Sequence, residues 1–245
     1  MSRRIQLQPA YVLHHRPYRD TSRILELFTR DHGKVTVFAR GARGGAGKGA
    51  SMMSMLQPFN QLLVSWSAGT EAGTLTAAEF DGTYSALPPD RLMSGCYLNE
   101  LLLNLFARHD THTDVFELYA RAIQSLKAAL DPLPVLRVFE KRLLESLGYG
   151  LALHHDAVSS LPIDPARTYH YRLEQGAVAT HDVAEGALVF AGQTLVSLAR
   201  EDLSDAVICQ DARRLLRAAL DRILEGRELK SRQVMMALRR RAADE

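Results

Sequence analysis

The sequence predicts an α+β protein with an N-terminal five-stranded β-barrel, a central helical domain, and a small C-terminal lobe braced by helices. Three observations carry that prediction. The first 80 of the 245 residues hold five short apolar runs and no helical period. The stretch Leu87-Pro88-Pro89-Asp90 then marks a change of character. Beyond it, apolar residues recur at helical spacing except in one stretch around residues 150–190.

The strands read in order. Residues 10–14 are short and apolar, and residues 22–29 alternate loosely around Ile24, Leu25, Leu27 and Phe28. Residues 35–39 are rich in β-branched side chains. Asp31-His32-Gly33-Lys34 joins these two runs as a hairpin turn, with Gly33 free to take a positive φ. Residues 58–66 supply a fourth strand with Leu62, Leu63, Val64 and Trp66, and residues 74–80 a fifth. Five short strands without an intervening helix match the OB fold in count and length, and the groove and loops of that fold bind oligonucleotides.

The helices follow. Asp90 stands where it can cap a first helix with the stripe Leu92, Cys96, Leu98, Leu101, Leu102 and Leu105. A second covers residues 113–130 with Val115, Phe116, Leu118, Tyr119, Ala122, Ile123 and Leu126. A third begins after Pro132 and Pro134, carries Leu136, Phe139, Leu143, Leu144 and Leu147, and ends at Gly148. Residues 168–173 and 177–180 read as a small β-element turned by Glu174-Gln175-Gly176. A short helix over 193–199 and a long one over 205–224 come next, then a basic helix for which Ser231 is a candidate cap. The expected division is 1–82, barrel; 83–150, helical domain; 151–192, small lobe; 193–245, C-terminal helices packing on the helical domain.

Net charge is only +2, but it is uneven. Residues 1–50 hold ten Lys or Arg against three acids, a local charge of +7, so the other 195 residues sum to −5. A basic segment on a near-neutral chain points to an anionic partner. Arg16, Arg19 and Arg23 flank the first turn of the barrel, and Lys34 and Arg40 bracket the hairpin strand. Arg43 and Lys48 sit in a loop with five glycines between 41 and 49. If these ends meet, they form a groove that neutralises phosphates regardless of sequence. Tyr18, Phe38 and Trp66 are candidates for base stacking, with Phe38 and Trp66 reading better as core.

Other chemistry finds little support. No run approaches the ~20 apolar residues of a membrane span, and no signal peptide is read, so a cytoplasmic protein is expected. Cys96 and Cys209 form no Cys-x-x-Cys pair and read as buried apolar residues. The glycine loop fails the P-loop pattern at Ala42 and Gly49, and fails G-x-G-x-x-G at Ala50. His154, His155, Asp156 and His181 are a weak metal set, because neighbours in a strand point apart. There is no G-x-S-x-G elbow. The expectation is no catalytic residue, no cofactor and no metal.

Several blocks resemble one family. Tyr11-Val12-Leu13, Arg16-Pro17-Tyr18, Thr21-Ser22, Phe28-Thr29 and Gly33-Lys34 resemble the N-terminal domain of the RecO family of bacterial recombination mediators. So do Ala39-Arg40-Gly41-Ala42-Arg43 and Leu56-Gln57-Pro58-Phe59. Tyr97-Leu98-Asn99-Glu100-Leu101-Leu102 is similar to its first long helix. Leu136-Arg137-Val138-Phe139-Glu140 through Leu147-Gly148-Tyr149-Gly150, and Leu229-Lys230-Ser231-Arg232, are similar to later blocks. The resemblance implies a non-enzymatic DNA repair and recombination protein, cytoplasmic and nucleoid-associated. Such a protein binds single- and double-stranded DNA, anneals complementary strands, and works with RecR. It docks the C-terminal tail of single-strand-binding protein and so helps load the recombinase RecA indirectly. Carried over by position, Arg16, Lys34, Arg40 and Arg43 are DNA contacts, with Arg19, Arg23 and Lys48 in the same basic group, and Arg137 meets the tail carboxylate. Many members carry a four-cysteine zinc lobe after the Leu-Gly-Tyr block; here residues 154–181 have no cysteine, and no zinc is expected. The rival readings are an OB-fold RNA-binding accessory protein, a metal hydrolase using His154, His155 and His181, and a structural scaffold.

Overall fold

The computed structural model describes residues 4–19, 22–40, 52, 54–69, 72–180 and 187–243, with side chains through 238. Contacts divide the chain into two units, Met1–Leu130 with Leu229–Glu245, and Asp131–Glu228. The boundary falls inside the segment 83–150, and the last helix joins the first unit.

In the first unit β1 (Arg4–Tyr18), β2 (Ser22–Thr29), β3 (Gly33–Ala39), β4 (Gln61–Ser67) and β5 (Gly73–Phe80) close a barrel in the order β1-β2-β3-β5-β4. All neighbours are antiparallel except β3 and β5, which run parallel through Val37↔Gly73 and Phe38↔Thr74. This is the OB topology. Strand β1 is far longer than its apolar stretch because it closes the barrel, pairing with β2 at one end and β4 at the other. The interior is filled by Val12, Leu25, Leu27, Val35, Val37, Val64 and Trp66, each burial worth ~1.5–3 kcal/mol. Gly33 takes φ +62, and a Cβ there would lie 2.1 Å from the Asp110 carbonyl oxygen. Both the turn and the close backbone approach therefore require glycine.

Helix α1 (Leu92–Leu105) corrects two sequence expectations. Asp90 lies inside a single 3-10 turn, Pro89–Arg91, and no side chain caps α1. Its buried face is Ser94, Tyr97, Leu98, Asn99, Leu101 and Leu102. Leu92 and Cys96 are exposed because i and i+4 share the opposite side of the helix. In α2 (Thr113–Lys127) all seven residues of the expected stripe are buried. Helix α6 (Lys230–Ala243) begins before Ser231, so that residue is not its cap. Instead the Glu100 carboxylate of α1 accepts from Lys230 N (2.8 Å), Ser231 N (2.9 Å) and the Ser231 hydroxyl. A carboxylate at that end answers the unpaired N–H groups and the helix dipole.

In the second unit α3 (Pro132–Ser146) starts under an Asp131 cap that accepts from Leu133 N at 2.9 Å. Both prolines fit in the first turn, where no N–H bond is needed. Gly148 follows the helix at φ +81. The lobe is a three-stranded sheet, β7-β6-β8, made of β6 (Thr168–Arg172), β7 (Gly176–Ala179) and β8 (Val189–Ala191). The buried Asp156 holds its loop by accepting from Val158 N (2.8 Å), Ser159 N (2.8 Å) and Ala179 N (2.7 Å). Helices α4 (Gly192–Arg200) and α5 (Ala206–Ile223) follow, the latter capped by Asp205. Between them Glu201 sits at φ +61 and accepts from Lys141 (3.0 Å) and Arg142 of α3. The Arg142 hydrogen bond, ahead of the Lys141 one, holds the Glu201 carboxyl below the usual carboxylate range. Replacing Glu201 with glutamine is expected to destabilise this unit by about 1 kcal/mol, because the pair is only partly buried. Urea denaturation of the variant checks this.

Among the described residues, no helix is long and apolar enough to cross a membrane. Among them, too, no three His, Cys, Asp or Glu side chains are grouped so as to hold a metal. His154 and His155 are exposed, and His181 lies outside the described residues.

Candidate nucleic-acid interface

The candidate face lies on the outside of β1, β2 and β3. Directly paired residues share one side of a sheet. Ala39 belongs to the interior, so the row Pro17↔Arg23↔Ala39 turns inward and the neighbouring row Arg16↔Ile24↔Phe38 turns outward. Tyr18 continues this outer face, its ring 5.0 Å from that of Phe38. Arg19, at φ +52, lays its guanidinium 5.3 Å from the Tyr18 centroid. Arg40 directly follows β3. Arg16, Arg19 and Arg40 are exposed, while Tyr18 and Phe38 are half-buried. The barrel thus presents two neighbouring aromatic rings among three open cations. Stacking surfaces combined with phosphate-neutralising arginines are the two ingredients that hold single strands.

A bulge decides which residues occupy this face. Tyr11 pairs with Phe28 and packs outward against Phe116 and Tyr119 of α2. The register then shifts between Val12 and His14, with Leu13 as the extra residue. Beyond it His14, Arg16 and Tyr18 face outward; an unbroken alternation would have turned Arg16 and Tyr18 into the barrel. The Leu13 carbonyl accepts from Asn99 Nδ2 at 2.9 Å. The Asn99 Oδ1 in turn accepts from the Tyr119 hydroxyl at 2.6 Å, a buried group whose ionisation desolvation strongly opposes.

The other expected residues lie elsewhere. Arg23 turns inward at the barrel mouth and its Nη1 donates to His15 Nδ1 at 2.9 Å. Burial first, and then the Arg23 charge, push the His15 imidazole below its ordinary pKa, which keeps it the neutral acceptor this bond requires. Lys34 donates from Nζ to the Leu103 carbonyl at 2.7 Å, in the last turn of α1, where a cation suits the helix end. Arg43 and Lys48 lie outside the described residues. Trp66 is core, at 4% exposure. Phe38, expected as core, is on the outer face; Val35, Val37 and Ala39 alternate with Lys34, Thr36 and Phe38, so the signal was in the strand's period. Among the described residues of this face the acid is Glu26, which accepts from the Thr36 hydroxyl (2.9 Å) and meets Arg108 (3.4 Å), so its charge is answered locally. In the second unit Arg137 is 5% exposed, and its Nη2 donates to Glu140 at 2.7 Å. His15 and Asn99 carry no sequence signal for their roles.

The OB barrel followed by helices defines an α+β protein whose barrel is of the kind that binds oligonucleotides. Residues 1–84 match the family model described as recombination protein O N terminal, and residues 88–233 the one described as recombination protein O C terminal. The chain is 42% identical over 235 residues to the DNA repair protein RecO of Aromatoleum aromaticum, covering 96% of this chain and 97% of that one. It is 42% identical over 237 residues to that of Nitrosococcus oceani (97% and 95%), and 39% over 229 residues to that of Haemophilus influenzae (94% and 95%). The chain belongs to the RecO family of DNA repair proteins.

Proposed function

We propose that this chain is a non-enzymatic recombination mediator that binds DNA on the outer face of its barrel, anneals complementary strands, and helps load the recombinase. The observation that carries this reading is the Tyr18–Phe38 ring pair set among Arg16, Arg19 and Arg40. Bases stack on the rings and phosphates meet the guanidinium groups, so strands are held without sequence being read. Arg43 and Lys48 add cations to the same partner. Arg23 and Lys34 support the barrel mouth and the α1 end instead of touching phosphate.

The partners in this reading are single- and double-stranded DNA, RecR, and the tail of single-strand-binding protein, with RecA reached indirectly, in the cytoplasm at the nucleoid. Arg137 is buried and pairs with Glu140 through Nη2, so docking of a tail carboxylate there requires its guanidinium to be uncovered.

The test is anisotropy of a labelled single-stranded oligonucleotide at low and moderate salt. Substituting Arg16→Glu with Arg40→Glu is expected to weaken binding at least about tenfold and to reduce the slope of log affinity against log salt by about 1–2, at roughly 0.7 per lost phosphate contact. Both substitutions are on exposed side chains, so the melting temperature stays unchanged. Affinity and slope equal to the unsubstituted protein would remove the face from the reading. A competition that favours RNA over DNA would move it to an RNA-binding protein.

A further inference from the structure

The last helix is a feature the barrel face does not use. Lys230–Ala243 holds five basic residues (Lys230, Arg232, Arg239, Arg240 and Arg241) and no acid. Its first turn is fixed on α1 by the three bonds to Glu100, and by Arg232 lying 5.6 Å from the Tyr97 ring centroid. Past that turn the side chains of residues 233–238 are exposed or half-exposed. Val234, Met236 and Leu238 are 46%, 42% and 51% exposed. At 100° per residue Met236 falls on the far side of the helix from Val234 and Leu238, so these three make no single apolar stripe for a partner helix or a lipid surface. What the helix carries instead is positive charge at both ends, Lys230 and Arg232 at the first turn and Arg239, Arg240 and Arg241 near the last. Its backbone runs about 20 Å at 1.5 Å per residue, enough to pass several phosphates of a strand.

We infer that α6 is a second nucleic-acid contact, whose occupant is the phosphate backbone of a strand other than the one on the barrel face. This rests on the reading that the barrel face binds DNA. Annealing brings two polyanions together, and their mutual repulsion falls when each is neutralised on the same protein unit. The barrel face holds one strand by stacking and charge. The anchored helix holds the second by charge alone, leaving its bases free to pair.

The experiment uses the full chain, two non-complementary 20-nucleotide single strands of different mass, and native mass spectrometry. The unsubstituted protein forms complexes of one chain with two strands. The variant Arg239→Gln, Arg240→Gln, Arg241→Gln, with an unchanged circular dichroism spectrum, forms only one-to-one complexes. It keeps single-strand affinity within about threefold and anneals complementary strands at least tenfold more slowly. Two strands still bound per variant chain, or annealing at the original rate, would overturn the inference. Loss of all strand binding by the variant would also overturn it, because α6 would then be the primary site. An unsubstituted protein that binds no strand at all would instead overturn the proposed function itself.

Discussion

Asn99→Leu destabilises the barrel-containing unit by about 3–4 kcal/mol. Leucine has the branched outline of asparagine without its polar atoms, so the loss comes chiefly from two buried groups left without partners, the Leu13 carbonyl and the Tyr119 hydroxyl. Each such orphan costs ~1–3 kcal/mol. The bulge carbonyl cannot turn to a neighbouring strand, because the register shift between Val12 and His14 has removed it from the ladder. Adding Tyr119→Phe removes one orphan and restores part of the loss, so the two substitutions are non-additive. Strand binding by the folded variant weakens as well, since Arg16 and Tyr18 depend on the bulge for their outward direction. Urea denaturation and anisotropy on the single and double variants measure both effects. A loss below 1 kcal/mol, or binding unchanged in the single variant, would contradict the role given to Asn99.

Asp156→Asn is expected to cost the second unit about 3 kcal/mol at neutral pH. Hydrogen bonds from Ser159 N and Ala179 N, opposed by burial and joined by Val158 N, bring the Asp156 carboxyl down from 3.8 to about 2. Its folded pKa is depressed, so its contribution is complete above the unfolded value near 4 and is lost as pH falls from about 4 to about 2. Asparagine keeps one oxygen for Val158 N and Ser159 N. Its amide then meets the Ala179 N–H with a second donor, and the charge is gone. The variant's stability should fall less steeply across that window than that of the unsubstituted protein, the remaining slope coming from carboxylates such as Glu201. Denaturation midpoints at pH 2, 3, 4 and 7 give the comparison. Parallel acid limbs in the two proteins would show that other carboxylates govern the acid response.

Much of the fold was legible because its signals are periodic. The stripe of α2 runs through seven residues, all buried, and Asp131 and Asp205 stand where their helices begin. What escaped was aperiodic. One extra residue at Leu13 inverts the facing of everything after it in β1, and apolar content does not mark it. In α1 the apolar side chains fall on both sides, so Leu92 and Cys96 entered the stripe although the helix buries Tyr97, Leu98 and Leu101. The three-residue strand β8 is too short to carry a period. The candidate site was legible as charge but not as direction. Arg16 and Arg23 look alike in sequence, yet one stands open on the outer face and the other turns inward to His15.

The bulge also sets a rule for length variation. Within β1, removing Leu13 leaves every later side chain on its present face, because the deletion simply makes the alternation regular. With the bulge kept at Leu13, removing any residue from 15 to 17 would exchange inside for outside along the rest of the strand. A chain shortened at Leu13 no longer offers the carbonyl that Asn99 serves, so the two positions should change together. Across RecO sequences a one-residue gap here is expected to travel with an apolar residue at the position of Asn99, making the gap and the substitution a single evolutionary event.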